Sequence, residues 1–283
     1  MTDCDNLFPG DSYDTPEHVP HALMDYLTGY GRWYFYWKNF NIFRRTGKCG
    51  CRGRLDQARQ IAFSNGNVKL VESVGGKIHL RGLQYLRERR GRPAVLVGNH
   101  MSLLETALFH AILRPHIDFT FVIKESLFDV PWFGDIMRTL EAIPVKRDNP
   151  RDDFKTVLTL GKERLARGKS VLLFPQGTRS EELVPGHFTT IGIKLARAAG
   201  VDILPFALKT DFLATGKLIR DMGPVRRKRH IWFEFGPPAP VEGSGKEQHE
   251  AVIAFIADRL KQWYALEGRP APVREEAEVP AQE

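Results

Sequence analysis

From about Val68 onward the chain alternates short apolar runs with longer amphipathic stretches. The runs PAVLVGN, DFTFVIK, SVLLFPQ, ILPFALK and HIWFEF are rich in β-branched and aromatic residues and read as strands. VKLVESVGGKIHL, starting at Val68, reads as a hairpin-like pair of short strands. Between these runs, apolar positions at helical spacing predict helices from Leu103 to Leu113, Asp152 to Ala166 and Phe188 to Ala199, with Gly200 placed to cap the last. AVIAFIADRLKQWY predicts one more amphipathic helix near the end. Strand and helix alternating in this way specify an α/β domain: a mixed, largely parallel sheet flanked by helices.

Ahead of that domain the pattern is different. Tyr26, Tyr30, Trp33, Trp37 and Phe40 recur at spacings of four and three, which lines them along one face of a helix, although Gly29 and Gly31 weaken it. Arg32, Lys38, Arg44, Arg45, Lys48, Arg52 and Arg54 lie within or just after the same stretch. Such a helix either packs its aromatic face on the main domain or lies in a membrane interface, with rings at headgroup depth and cations against anionic lipid. Trp and Tyr outnumber Leu and Ile here, which favours the interface. The expected organisation is a disordered N-terminus over 1–20, an amphipathic membrane-interface helical segment over 21–65, the α/β domain over 66–268, and a disordered Pro- and Glu-rich tail over 269–283.

Composition narrows the field. The 283 residues are 42% hydrophobic and 27% charged, ordinary for a folded chain, but the formal charge of +7 suits a phosphate-bearing or anionic partner. Three cysteines, two of them in KCGC (Cys49 and Cys51), build no disulfide framework and make a weak zinc signal, so a reducing compartment is expected and no metal. No apolar run reaches the roughly 20 residues of a membrane-spanning helix. The acidic N-terminus does not resemble a secretory signal. The expected location is therefore the cytoplasmic face of a membrane, bound peripherally.

Candidate chemistry gathers where strands end and helices begin, the edge at which open α/β sheets place their ligands. In GNHMSLLE, His100 follows a strand, and Glu105 stands three residues after Ser102 as in a capping box, which by itself explains the carboxylate. Alternatively, a neutral imidazole removes a proton from an alcohol while the carboxylate fixes its tautomer and stabilises the imidazolium. In FPQGTRS, Gly177 frees the backbone while Thr178, Arg179 and Ser180 offer donors. A guanidinium there pairs well with phosphate, though the same turn can simply carry a solvated arginine.

NHMSLLE and FPQGTRS together, with KESLFDVPWFGDIMRTLEAIPVKR between them and ILPF after, resemble the motifs of the phospholipid/glycerol acyltransferase family, whose bacterial type is the 1-acyl-glycerol-3-phosphate acyltransferase. The resemblance covers roughly Val68 to Lys209, with four motifs in order. It implies transfer of a fatty acyl chain from acyl-CoA or acyl carrier protein to a hydroxyl of a lysophospholipid-like acceptor, lysophosphatidic acid foremost. It implies no cofactor beyond that co-substrate. His100 would be the general base and Glu105 its partner; Lys124, Arg147, Gln176, Gly177, Thr178 and Arg179 would bind substrate. Two positions depart from the family pattern: Glu105 replaces an aspartate, and Gln176 replaces a glutamate held to engage the acceptor, which leaves the acceptor headgroup open.

Other readings stay beside this one. The same dyad would serve a CoA-independent phospholipid transacylase, and the two departures suit a lipid-binding member with altered catalysis. No Gly-x-Ser-x-Gly elbow supports a serine hydrolase. RRKRH (Arg226 to His230) is the one candidate nucleic-acid patch, but no recognisable nucleic-acid module accompanies it, so no nucleic-acid partner is expected.

Overall fold

The computed structural model describes residues 6–216, 219 and 221–274. The chain begins with β1 (Tyr13–Asp14), followed by helices α1 (Leu23–Leu27), α2 (Arg32–Cys51) and α3 (Gln57–Ser73). Next come β2 (Ile78–Arg81), α4 (Leu83–Arg87), β3 (Val95–Gly98), α5 (Leu104–Leu113) and β4 (Phe119–Lys124). α6 (Phe133–Thr139), β5 (Ile143–Val145), α7 (Pro150–Ala166) and β6 (Ser170–Leu173) follow. The chain closes with α8 (Ile191–Ala199), β7 (Ile203–Lys209), β8 (Ile231–Phe235) and α9 (Lys246–Leu266).

The strands form one sheet in the order β1-β2-β8-β7-β3-β6-β4-β5. Pairing is parallel from β7 through β3, β6 and β4 to β5, and between β2 and β8; only β1–β2 and β7–β8 are antiparallel. β3 and β6 are buried at every position, as their unbroken apolar runs require of strands covered on both faces. The five predicted strands and the mixed, largely parallel sheet are all present. Gly200 caps α8 in the left-handed conformation with φ +65°, as its position implied.

Several expectations are corrected. Val68 to Ser73 belong to α3, so VKLVESVGGKIHL contributes one strand, β2, and no hairpin. The buried face of α3 runs through Gln60, Ile61, Ser64, Asn65, Val68 and Val71. Half of those positions are polar, so an apolar-only reading sees just the end of the helix and mistakes it for a strand. The boundary placed at 65/66 therefore falls inside α3. The aromatic row is split between α1 and α2 by Gly29 and Tyr30, both at positive φ, rather than lying on one helix.

Residues 6–20, expected to be loose, add β1 to the sheet and bury Phe8 in the core. Residues 269–274 of the tail are also held: Val273 bridges Leu183 in parallel fashion, and Arg269 pairs with Asp211 and Glu267. Residues 1–5 and 275–283, the rest of the two stretches expected to be disordered, lie outside the described residues. RRKRH is a cross-linking strap, neither a free patch nor a wholly solvated face. Arg226 pairs with Glu181, Arg227 with the buried Asp25 of α1, and Arg229 with Glu267. Among the described residues, no helix is long and apolar enough to cross a membrane.

Candidate active site

The site is built at the C-terminal end of β3. Gly98 is needed there by contact: a Cβ on it would lie 2.3 Å from the Phe206 ring and 2.4 Å from the Phe206 carbonyl of β7. Asn99 then extends the pairing with its side chain, Nδ2 donating to Leu208 O at 2.8 Å and Oδ1 accepting from Leu208 N at 2.9 Å. A side chain that substitutes for the ladder lets the main chain leave the sheet, and His100 is the first residue out.

His100 is gripped on every side. Its main-chain N–H donates to Gln176 Oε1 at 3.0 Å, and its carbonyl accepts from Ser180 N at 2.8 Å. Its ring stacks on Phe174 with centroids 4.0 Å apart and planes 11° from parallel. Nδ1 lies 2.8 Å from Glu105 Oε1. An ionised carboxylate only accepts, so Nδ1 carries the proton and Nε2 presents its lone pair from a ring that is 18% exposed.

Glu105 is fully buried, and every acceptor position it offers is used. Oε1 also takes the N–H groups of Met101 at 2.7 Å and Ser102 at 2.8 Å; Oε2 takes the hydroxyls of Ser102 at 2.9 Å and Thr210 at 2.7 Å. Burial pushes the carboxyl pKa up, but hydrogen bonds and charge from His100, with Thr210 and Ser102, outweigh it and leave the pKa below the ordinary value. One oxygen of Glu105 meets both the Ser102 N–H at the start of α5 and the His100 Nδ1.

The other predicted residues divide. Gln176 is in contact with His100, but both ends of its amide are engaged within the protein, Nε2 donating to Glu182 O at 3.3 Å. Gly177 turns the chain at φ +71°, and its N–H donates to Phe174 O at 3.0 Å. Thr178 is exposed beside it. Arg179 pairs with Asp221 at 2.7 Å and lines a shallow depression with Tyr36, Met101, Ser102 and Leu213; His100 is not part of that lining. Lys124 ends β4 and Arg147 follows β5, at the same sheet edge as His100. The strand order puts them about 10 Å and about 14 Å to the side. Among the described residues, no hydrogen bond or ion pair is seen between either side chain and the dyad.

Residues 77–209 match the family model described as Acyltransferase. A 1-acyl-sn-glycerol-3-phosphate acyltransferase from Pseudomonas aeruginosa is 30% identical over 190 residues, covering 67% of this chain and 68% of that protein. The chain belongs to the acyltransferase family. A protein of the same description from Escherichia coli is 26% identical over 186 residues, 65% of this chain and 72% of that one. The crystal structure of the 1-acyl-sn-glycerophosphate acyltransferase PlsC from Thermotoga maritima superposes with a TM-score of 0.61 over 84% of this chain and 95% of that one, at 18% identity, and so shares the fold.

In this acyltransferase, three contributors were not singled out from the sequence: Asn99, Phe174 and Thr210, while Ser180, read there as a donor, gives its main-chain N–H to His100 O. Asn99 and Phe174 lie within the quoted motifs GNHMSLLE and FPQGTRS. Thr210 stands 105 residues from its partner Glu105, and its only sequence signal is its place just past the strand ILPFALK, the same strand-end rule that picked out the others.

Proposed function

We propose that this acyltransferase moves a fatty acyl chain from a thioester, acyl-CoA or acyl carrier protein, to the free hydroxyl of a lysophosphatidic acid-like acceptor. The observation that carries this reading is the His100–Glu105 contact, with Nδ1 held by a buried carboxylate and Nε2 left for substrate. Nε2 takes the acceptor proton as the hydroxyl oxygen attacks the thioester carbon. The tetrahedral oxyanion then collapses, the C–S bond breaks, and the imidazolium returns its proton to the departing thiolate. A thiol of pKa about 8.5 leaves readily, so no acyl-enzyme is needed. Gly177's amide is committed to Phe174, which leaves the exposed Thr178 as the next donor in that turn for the oxyanion.

Arg179 would meet the acceptor phosphate, with Lys124 and Arg147 farther along the same edge. The names borne by the relatives from Pseudomonas aeruginosa and Escherichia coli support a lysophosphatidic acid acceptor. Trp33 and Trp37 are 62% and 60% exposed, with Leu23, Tyr26, Leu27 and Phe40 exposed around them. Arg32 lies over the Trp33 ring at 5.0 Å and Lys38 over Trp37 at 5.3 Å. An apolar aromatic face rimmed by cations suits the anionic surface of a membrane, which we assign to the cytoplasmic side. Tyr36 of the same helix lines the depression beside Arg179, so that surface adjoins the acceptor site.

The test is thiol release from acyl-CoA, or from acyl carrier protein, on adding a panel of lysolipids, with the lipid product identified by mass. Acceptor-dependent release that His100→Ala lowers by about 10²–10⁴-fold supports the assignment. Transfer without any thioester donor would make the protein a transacylase, and near wild-type turnover in His100→Ala would remove the base.

A further inference from the structure

Gln176 stands where the family resemblance leads one to expect a glutamate, and it has a task that a carboxylate cannot perform. Its Oε1 accepts the His100 N–H at 3.0 Å while its Nε2 donates to Glu182 O at 3.3 Å. A carboxylate has only acceptors to offer, so it would leave the Glu182 carbonyl facing a second acceptor.

The segment that presents this carbonyl is held by the far end of the chain. Leu183 N donates to Pro272 O at 2.8 Å, and Arg274 N donates to Leu183 O at 3.0 Å. Arg274 Nη2 reaches Glu182 Oε1 at 3.0 Å, and Arg269 anchors the start of the strap on Asp211 and Glu267, each at 2.9 Å. Leu183 itself is buried. Contacts therefore run without a break from residues 269–274 through Leu183 and Glu182 to the amide of Gln176, and from there to the main chain of His100.

We propose that Gln176 is a positioning residue for His100 and that the C-terminal strap sets it; this rests on His100 being the base. The strap fixes the Glu182 carbonyl, and that carbonyl decides which way the Gln176 amide faces. With the amide turned over, its NH₂ would confront the His100 N–H and the histidine main chain would have to shift. A reacting group misplaced by about 1 Å loses on the order of 10²-fold in rate, so a hydrogen bond to the backbone of the base is enough to matter. Both departures from the family pattern then have a local reason: Glu105 fits its ring of donors, and Gln176 bridges two backbone groups of opposite kind.

Four single variants and one double variant, all full-length, test this. Gln176→Leu and Gln176→Glu should each lower kcat about ten- to a hundredfold while the acceptor KM stays within about threefold. In Gln176→Leu the His100 amide should exchange its hydrogen faster by more than any fall in the midpoint of global unfolding accounts for. Arg274→Pro, which deletes the N–H given to Leu183, should lower kcat about three- to tenfold. Arg274→Ala, which removes only the exposed ion pair to Glu182, should leave kcat within about twofold. Arg274→Pro should have no further effect in the Gln176→Leu background.

An acceptor KM raised more than about tenfold at unchanged kcat would make Gln176 a substrate ligand and overturn the proposal. An equal Arg274→Pro effect in both backgrounds would sever the strap from Gln176. Because the exchange measurement needs no turnover, it separates a failure of the positioning from a failure of His100 as base.

Discussion

The Thr210 hydroxyl lies 2.7 Å from Glu105 Oε2, joining residues 105 apart at the one carboxylate oxygen that does not face His100. Ser102 Oγ approaches the same oxygen at 2.9 Å and Thr210 Oγ1 at 2.9 Å, so two hydroxyls share the rear of the carboxylate. Thr210→Val keeps the shape and removes one donor from a buried charge. We expect a loss of about 1–3 kcal/mol in stability. With fewer donors the Glu105 pKa rises, so the acid limb of the kcat profile should move to higher pH. An unmoved limb would mean that Thr210 does not tune the dyad.

Glu105 itself should leave a mark on acid stability. Its folded-state pKa lies below the ordinary glutamate value of 4.5. The stabilisation is thus present above about pH 4.5 and is lost as pH falls through the lower folded value. Glu105→Gln abolishes that titration. Denaturant midpoints measured from about pH 6 down to about pH 3 should fall less steeply in the variant than in the parent. At neutral pH, kcat should drop by about 10²–10⁴-fold, because a neutral amide gives the imidazolium no charge to lean on.

The strands were legible in the chain because a parallel sheet covered on both faces demands continuous apolar runs, and five of them stand out. His100 and Glu105 were legible because the capping geometry and the orienting geometry use the same spacing. α3 was not, since Gln60, Ser64 and Asn65 sit on its buried face and only tertiary packing explains polar groups there. Ser64 Oγ, for example, donates to Ala107 O at 2.6 Å and accepts from Ala111 N at 2.9 Å, closing a contact with α5. The ordered part of the tail was hidden for a related reason. Pro272 to Arg274 have no apolar periodicity and are held by a backbone bridge to Leu183, by Val273 packing against the core and by the Arg274–Glu182 ion pair, all with residues far back in the sequence.

Lys209 should be essential to the fold beneath the site. It is fully buried at the end of β7, with Nζ 2.7 Å from Asp211 Oδ1 and 2.6 Å from Glu267 Oε1. Burial raises the Glu267 pKa, but hydrogen bonds from Lys209 and the His230 amide, with Arg269 beyond, outweigh it and bring the value to about 2. Lys209→Met removes the buried cation between two carboxylates, leaving them only the more exposed Arg229 and Arg269, and should cost about 3–5 kcal/mol. Chemical denaturation at neutral pH measures it. The deficit should shrink as pH falls below about 4.5, where Glu267, no longer held down by Lys209, begins to protonate in the variant while the parent's Glu267 is still ionised. A deficit that stays constant with pH would show that packing of the lysine chain, rather than its charge, is what was removed.

Trp33 and Trp37 separate surface binding from chemistry. Both point away from the core, while the opposite side of α2 buries Phe35, so the double substitution Trp33→Ser, Trp37→Ser should leave the unfolding midpoint nearly unchanged. If this face meets lipid, sedimentation with anionic vesicles should fall sharply in the variant, and added salt should weaken what binding remains, because the nearby cations act through screened charge. Turnover of a short-chain acceptor dispersed below its aggregation limit should match the parent, since neither ring touches the His100 site. Equal vesicle binding by both proteins would assign the aromatic face to some other contact, whereas lost turnover on the dispersed acceptor would mean that α2 shapes the depression beside Arg179 as well as the surface around it.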